Sequence, residues 1–174
     1  MQDYSTGYES RIALQEGWEK WVMSLADWQH FVTLTFKDFQ TRDQAEHAFR
    51  FLLRVLNTDL FGKHYTRTVG HCYCSYVVGF EKQTRGALHM HVLFDRPINF
   101  NLIHRIWCGD PKNPRFGFAF IKPVEDAQGA VEYISKYISK DGDLMLYKPT
   151  QVKQPPFQPY WFDVAMLDVN RLFK

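Results

Sequence analysis

Two short segments of the chain carry residue types that are suited to chemistry at a phosphate group. The first contains Glu81 and ends in the pair His89 and His91, and the second contains Tyr133 and Tyr137. Side chains two residues apart share one face of a strand, and side chains four residues apart share one face of a helix. The first segment could therefore bind a metal ion, and the second could present two phenol nucleophiles. Together they predict metal-assisted chemistry at a phosphodiester.

The connection Thr84-Arg85-Gly86 determines how the histidine segment would pair with the strand before it. A three-residue hairpin loop with its glycine in the left-handed conformation places Glu81 opposite His89 and Gly79 opposite His91. Opposed side chains on one sheet face have Cβ atoms about 4.5–5.5 Å apart, which suits one ion shared by a carboxylate and two imidazoles. The missing side chain of Gly79 would leave room beside the ion for a phosphate.

Two imidazoles and one carboxylate leave coordination positions open for water and substrate. The carboxylate and a phosphate oxygen favour Mg²⁺ or Mn²⁺. An isolated His-x-His pair is more commonly a pair of half-exposed sheet residues without a ligand, but the opposed Glu81 and Gly79 favour a metal site. The odd number of cysteines indicates reduced thiols. A zinc site made by Cys72, Cys74 and His71 would lack a second well-spaced ligand pair.

The segment that carries the tyrosines is predicted to be a helix with a separate apolar side. At 100° per residue, Val131, Ile134 and Ile138 fall in one narrow sector. The opposite side holds two tyrosines and two lysines: Tyr133, Lys136, Tyr137 and Lys140. A phenol with a pKa of about 10 becomes a nucleophile when a nearby cation favours the phenolate, and each tyrosine has a lysine three residues later. Two exposed tyrosines at this spacing are also compatible with simple pairing on a helix surface.

The elements that must position these segments alternate between strand and helix patterns. Strand patterns cover four segments: Gln29–Phe36, Cys72–Lys82, Ala87–Asp95 and Phe116–Val124. Helix patterns cover residues 8–27, a segment that begins at a capping box at Thr41, and residues Asn99–Trp107 and Val131–Lys140. This order predicts an α+β fold, in which helices lie on one face of a central antiparallel sheet.

We expect one domain over residues 1–174, with a core at about residues 29–143. Residues 1–28 would form an N-terminal helical extension, and residues 144–174 a Pro-rich C-terminal arm. The net charge of +2 gives no overall basic field, so DNA affinity would require a local concentration of Lys and Arg. Neither a signal-peptide pattern nor an apolar run of about 18 residues occurs, so neither export nor membrane insertion is predicted.

In content and order, these motifs resemble those of the HUH endonucleases, the rolling-circle replication initiators of small viruses, phages and plasmids, with related relaxases and transposases. Phe31–Phe36 resembles their first motif, Glu81 with His89 and His91 the metal motif, and Tyr133–Lys140 the nucleophile motif. The doubled Tyr-Ile-Ser-Lys is similar to the two-tyrosine form found in phages. The segment from Tyr137 to Asp143 also resembles the single-tyrosine form of eukaryotic viruses.

The resemblance implies a five-stranded antiparallel sheet of RNA-recognition-motif or ferredoxin-like topology, with the histidines on a central strand. It also implies Mn²⁺ or Mg²⁺ as cofactor and a tyrosine that attacks single-stranded DNA. The products would be a 5′-phosphotyrosine link and a free 3′-hydroxyl. We expect Tyr137 to attack first and Tyr133 to perform a second transfer, with Lys136 and Lys140 assisting them.

The expected partner is single-stranded DNA at a replication origin, which could be a hairpin, and no membrane. A Gly-x-x-x-x-Gly-Lys-Ser/Thr loop does not occur, so a host helicase and polymerase would act with the protein. The compartment would be the cytoplasm of a bacterial or archaeal host, or the nucleus of a eukaryotic one. Three alternatives remain: a transposase or relaxase with the same chemistry, an iron oxygenase, and a non-catalytic single-strand-binding module that stacks bases on Phe31, Phe116 and Phe118.

Overall fold

The structure, a computed structural model, describes residues 5–65, 74–83, 86–110, 112–141 and 144–147. The strands are β1 (His30–Phe36), β2 (Tyr76–Lys82), β3 (Leu88–Phe94), β4 (Gly109–Asp110), β5 (Asn113–Pro114), β6 (Gly117–Pro123) and β7 (Leu144–Tyr147). The helices are α1 (Ser5–Leu25), α2 (Arg42–Phe61), α3 (Phe100–Ile103), which continues as a π-helical turn (His104–Cys108), and α4 (Ala127–Asp141).

Five strands form one antiparallel sheet in the order β6-β1-β3-β2-β7, and β4 and β5 form a separate short ribbon. The histidine strand β3 is therefore the central strand of the main sheet. With its flanking helices the protein has the predicted α+β fold. No helix within the described ranges is long and apolar enough to span a bilayer.

Helix α2 illustrates how local sequence defines an element. Thr41 forms the predicted capping box, because its hydroxyl accepts from the Gln44 backbone N–H at 3.3 Å and the Gln44 side chain accepts from the Thr41 backbone N–H at 2.9 Å. Gly62 ends the helix with a φ of 84°, a conformation that glycine adopts at low cost. The predicted apolar stripe is buried: Ala45, Ala48, Phe49, Leu52 and Leu56.

The two faces of the sheet pack against different helices. On the first face, the alternate β3 residues Met90, Val92 and Phe94 share a core with α2 and α3. On the second face, Leu93 belongs to another core, with residues of α1 and α4. The prediction of helices on one face is thus wrong. Strands such as β3 carry apolar residues on both sides at one end, so both sides need a cover.

Strand β7 corrects the predicted boundary of the C-terminal arm. Its four residues were assigned to the arm, but they pair with β2 and complete the sheet. Leu144 and Leu146 are buried in one core and Met145 in the other, as expected for a strand that is covered on both faces. The remaining residues of the predicted arm lie outside the described part of the chain.

Candidate metal and tyrosine site

The β2–β3 hairpin has the register that the sequence predicts. Glu81 pairs with His89 and Gly79 with His91. Gly86 has a φ of 86°, and the Gln83 backbone N–H donates to the Ala87 carbonyl at 3.0 Å. Because side chains alternate along a strand, this register brings the carboxylate and both imidazoles to the second face of the sheet.

The three predicted metal ligands lie together. One potential ligand atom from each of Glu81, His89 and His91 lies within 4.8 Å of the other two. This spacing suits a single ion, since two atoms that bind one ion at about 2.0–2.2 Å can be no more than twice that distance apart and these need only a small adjustment. The nitrogen and carboxylate donors fit a divalent cation, and the sequence favours Mn²⁺ or Mg²⁺.

His91 is held at both nitrogens of its ring. Its Nδ1 lies 3.3 Å from the Thr33 hydroxyl and its Nε2 lies 3.2 Å from Glu81 Oε2. Burial, with 3% of the residue exposed, lowers the pKa of His91 below its ordinary value, although Glu81 acts in the opposite direction. Burial therefore favours the neutral imidazole, which is the protonation state that binds metals.

Thr33 allows His91 to use either ring nitrogen as a donor. When Nε2 carries the proton, it donates to Glu81, and Nδ1 accepts from the Thr33 hydroxyl. When Nε2 is a metal ligand, Nδ1 carries the proton and the same hydroxyl accepts. The sequence motif contained Thr33 without revealing this role; its position on β1 directly opposite His91 becomes visible only in the sheet register.

Helix α4 brings both tyrosines to the histidine strand. The ring of Tyr137 stacks on the His91 ring, with centroids 4.3 Å apart and planes 18° apart. The ring of Tyr133 meets the same imidazole edge to face at 5.3 Å. The Tyr137 hydroxyl donates to the Tyr133 oxygen at 2.9 Å. The metal-ligand group and the two phenols therefore form one continuous site.

The two phenols differ in exposure, which the sequence did not predict. Tyr133 is 44% exposed, whereas Tyr137 is only 7% exposed because the His91 ring covers it. Burial, the hydrogen bond to Tyr133, and the charges of Tyr133 and Glu81 raise the pKa of Tyr137. The expectation of two exposed tyrosines is thus wrong for Tyr137. The predicted buried stripe of Val131, Ile134 and Ile138 is confirmed.

Gly79 has a different function from the one predicted. A Cβ atom at this position would lie 3.2 Å from Ile134 Cγ1 and 3.4 Å from Tyr137 Cβ. The space beside Gly79 is thus filled by α4 and is not available to a phosphate. The glycine allows the tyrosine helix to lie close to β2, and this approach places the Tyr137 ring against His91.

The predicted lysines are less closely tied to the phenols. Lys136 is exposed on α4, and the groups that shift the pKa of Tyr137 do not include it. The side chain of Lys140 lies outside the described part of the structure.

The sequence named three aromatic residues as base-stacking candidates, and only one is exposed. Phe31 is buried beneath the site, and Phe116 packs on Trp107 with centroids 5.0 Å apart. Phe118 is 61% exposed and Phe120, which the prediction missed, is 63% exposed. The two alternate along β6, and this spacing was the signal in the sequence that could have identified Phe120.

Cys74 is a core residue. It is buried, and burial raises the pKa of its thiol to about 12. The other two members of the zinc alternative, Cys72 and His71, lie outside the described residues.

Comparison with known proteins gives one match. No curated protein and no solved structure matches the chain. The model of the replication-associated protein family of the ORF2 and gene-2-protein type matches residues 29–142, which are more than half of the chain and span the main sheet from β1 to α4. The chain therefore belongs to this family of replication-associated proteins.

Proposed function

We propose that this protein is a metal-dependent endonuclease and strand transferase that nicks single-stranded DNA to initiate rolling-circle replication. Its family is replication-associated, and such a protein acts on DNA. One observation carries the chemical part of the proposal: the ring of Tyr137 lies 4.3 Å from the ring of His91, a candidate metal ligand. A nucleophile and a metal group this close can engage the same phosphate.

Glu81, His89 and His91 would hold the ion, which supplies a Lewis acid for the scissile phosphate. The Tyr137 oxygen forms a bond to phosphorus while the bond from phosphorus to the 3′-oxygen breaks. The phenol proton leaves, and the 3′-oxygen takes up a proton to become a free hydroxyl. The 5′ side of the cut strand remains attached to Tyr137 as a phosphotyrosine.

The raised pKa of Tyr137 means that the enzyme without DNA keeps this phenol protonated. Part of that shift comes from the Glu81 charge, which a bound cation would offset, and part from the hydrogen bond to Tyr133. Attack by Tyr137 therefore requires this hydrogen bond to break or to reverse. Tyr133 lies 2.9 Å away and is placed for the second transfer.

The biological assignments follow the chemistry. The substrate would be single-stranded DNA at a replication origin, with a hairpin as one form of it. A host helicase and polymerase would unwind and extend the nicked strand, in the cytoplasm of a bacterial or archaeal host or in a eukaryotic nucleus. Transposases and relaxases share the reaction, but the replication-associated family favours initiation. We also propose that residues 1–174 act as one domain.

A second candidate function is binding of single-stranded DNA without cleavage. The exposed rings of Phe118 and Phe120 favour base stacking, which needs no metal. This candidate gives no role to the ligand group of Glu81, His89 and His91. The test must therefore detect a covalent bond.

The deciding experiment incubates the protein with Mn²⁺ and end-labelled single-stranded DNA and measures adducts that survive denaturant. A catalytic protein forms them and a binding module does not. Tyr137→Phe should abolish or greatly reduce the first cut, and Tyr133→Phe should spare it but impair a second transfer. Tyr76→Phe is the matched control, since Tyr76 is a buried tyrosine that packs on Phe49 in the other core. The reverse pattern for the two site tyrosines would exchange their roles.

A further inference from the structure

Beside the metal and tyrosine site lies a cavity of about 660 Å³ that the proposed chemistry does not use. It is bounded by β1, the end of β6, the loop after β6 and the first two turns of α4. Ligand pockets commonly measure about 300–1,000 Å³, so this volume suits a small planar group. The lining combines aromatic, basic and acidic side chains: Phe31, Phe120, Lys122, Glu125, Asp126 and Tyr133.

We propose that this cavity binds one unpaired nucleobase of the DNA strand, a base with an exocyclic amino group, next to the phosphate that Tyr137 attacks. This inference rests on the proposed function, because it assigns a substrate subsite to the same catalytic centre. It adds a recognition element that neither the metal ligands nor the nucleophiles supply.

The aromatic residues fit the faces of a base. Phe120 leaves 63% of its surface exposed on an edge strand, so one ring face is available for stacking. Phe31 and Tyr133 meet edge to face at 5.5 Å and form the part of the cavity nearest the site. A base between Phe120 and this pair would cover apolar ring surface that is now in water.

The cavity is continuous with the catalytic residues. Tyr133 lines it and also contacts His91 and accepts the hydrogen bond of Tyr137. Phe31 lines it and stacks on His91 with centroids 6.1 Å apart. A nucleotide with its base in the cavity would therefore present its phosphate toward the two phenols.

The charged residues determine how a nucleotide would be oriented. The Lys122 ammonium lies 5.6 Å from the centre of the Phe31 ring and offers a contact for the phosphate. Glu125 and Asp126 would repel a phosphate, but their carboxylates accept hydrogen bonds from the amino group of a base such as cytosine. The base edge would therefore face the acidic residues, and the backbone would face Lys122.

Gly129 supports this position of Asp126. The Asp126 Oδ1 accepts from the Gly129 backbone N–H at 3.1 Å, and a Cβ at residue 129 would lie 2.5 Å from Oδ2. Only glycine lets this carboxylate rest against the first turn of α4 at the wall of the cavity.

The test measures the affinity of the full chain for oligodeoxycytidine, oligothymidine and an abasic oligonucleotide of equal length, by fluorescence anisotropy. We expect the wild type to prefer oligodeoxycytidine over the other two. Phe120→Ala should lower the preference for oligodeoxycytidine over the abasic strand by about 5- to 150-fold, the range that base–aromatic stacking provides. Asp126→Asn should reduce the preference for cytosine over thymine. Phe100→Ala is the control, because Phe100 is exposed and its ring packs on His30, away from the cavity.

A second measurement locates the base. Single-stranded DNA that carries 5-iodocytosine is irradiated with the protein, and the crosslinked peptide is mapped by mass spectrometry. A crosslink to Phe120 or Tyr133 supports the subsite. Crosslinks confined to other regions, an unchanged base preference in both Phe120→Ala and Phe120→Leu, or crosslinking to single-stranded RNA alone would overturn it.

Failure of this inference can be distinguished from failure of the proposed function. Covalent adducts without a crosslink in the cavity would leave the nickase intact and eliminate the subsite. A crosslink at Phe120 without any adduct would retain the subsite and eliminate the nickase.

Discussion

The two faces of the central sheet use the same strands for different purposes. On the first face, β3 contributes Met90, Val92 and Phe94 to a core that α2 and α3 cover. On the second face, the same strand contributes Leu93 to a core at one end and His89 and His91 to the metal group at the other. The core on one face anchors the strand while its other face presents polar groups.

The second face is itself divided along the strands. At one end, Phe31, Val77 and Leu93 lie in the core with α1 and α4. At the other end, Glu81 and the β6 phenylalanines Phe118 and Phe120 remain open to solvent in part or in large measure. His91 and Tyr137 lie at the border between them, buried but in contact with the open part. This border explains how ionisable groups can be held rigidly and still meet a substrate.

The largest contrast should come from Met90 and His91, which are adjacent but point to opposite faces. Met90→Ala should lower the free energy of unfolding by about 2–5 kcal/mol, because it leaves a cavity in the first core. His91→Gln should retain the fold but reduce metal-dependent adduct formation more than about 100-fold, since a bound ion contributes several kcal/mol. Chemical denaturation and the adduct assay measure the two effects. Equal effects of both changes on stability and activity would mean that the two faces do not divide the roles.

A smaller effect is expected for the hydroxyl that positions His91. Thr33→Val keeps the shape of the side chain but removes the partner of Nδ1. Loss of such a partner typically costs about 10- to 100-fold in metal affinity. Titration with Mn²⁺ followed by calorimetry checks this value. Thr35→Val is the control, because Thr35 bonds to the Phe118 backbone and not to a histidine ring; equal losses in both variants would argue against a positioning role.

Gly79→Val should affect both stability and the site at once. Its added side chain would press on Ile134 and Tyr137, which lie 3.2–3.4 Å from the first added atom. Overpacking of this kind costs about 1–3 kcal/mol of stability, and displacement of α4 should move Tyr137 off the His91 ring. Adduct formation should therefore fall by more than the loss of folded protein explains. A loss of activity that matches the unfolded fraction would show that Gly79 does not set the position of the helix.

The smallest expected effect concerns pH. Because the pKa of His91 is lowered in the folded protein, this side chain stays neutral where the unfolded chain takes up a proton. Protons therefore favour the unfolded state, and stability is lost as pH falls below the ordinary value of 6.5 toward the pKa of the folded state. The free energy of unfolding of the wild type should decrease over this range more than that of His91→Gln. Parallel curves for the two proteins would mean that His91 does not titrate differently on folding.

Much of the local structure could be predicted from residue patterns. The capping box at Thr41 and the left-handed Gly86 specify their elements through hydrogen bonds and backbone angles within a few residues. The hairpin register follows from Gly86, so the grouping of Glu81, His89 and His91 could be predicted before the structure. Boundaries were less predictable: α4 begins at Ala127, four residues before the predicted start.

The interpretation of Gly79 shows where pattern reasoning ends. The sequence placed this glycine correctly opposite His91, but it could not reveal which group would fill the space. The answer depends on α4, a helix nearly fifty residues later in the chain. The same contact buries Tyr137 and leaves Tyr133 exposed, although Ile-Ser-Lys follows both tyrosines in the sequence.

Local patterns were enough to specify most strands and helices, the hairpin that groups the metal ligands, and the side of α4 that carries the tyrosines. These features depend on the period of side chains along an element and on turns of a few residues. Long-range packing settled the rest: β7 completes the sheet, helices cover both of its faces, and Tyr137 stacks on His91. These outcomes require apolar surfaces far apart in the chain to meet in a common core, and no local pattern records which surfaces will meet.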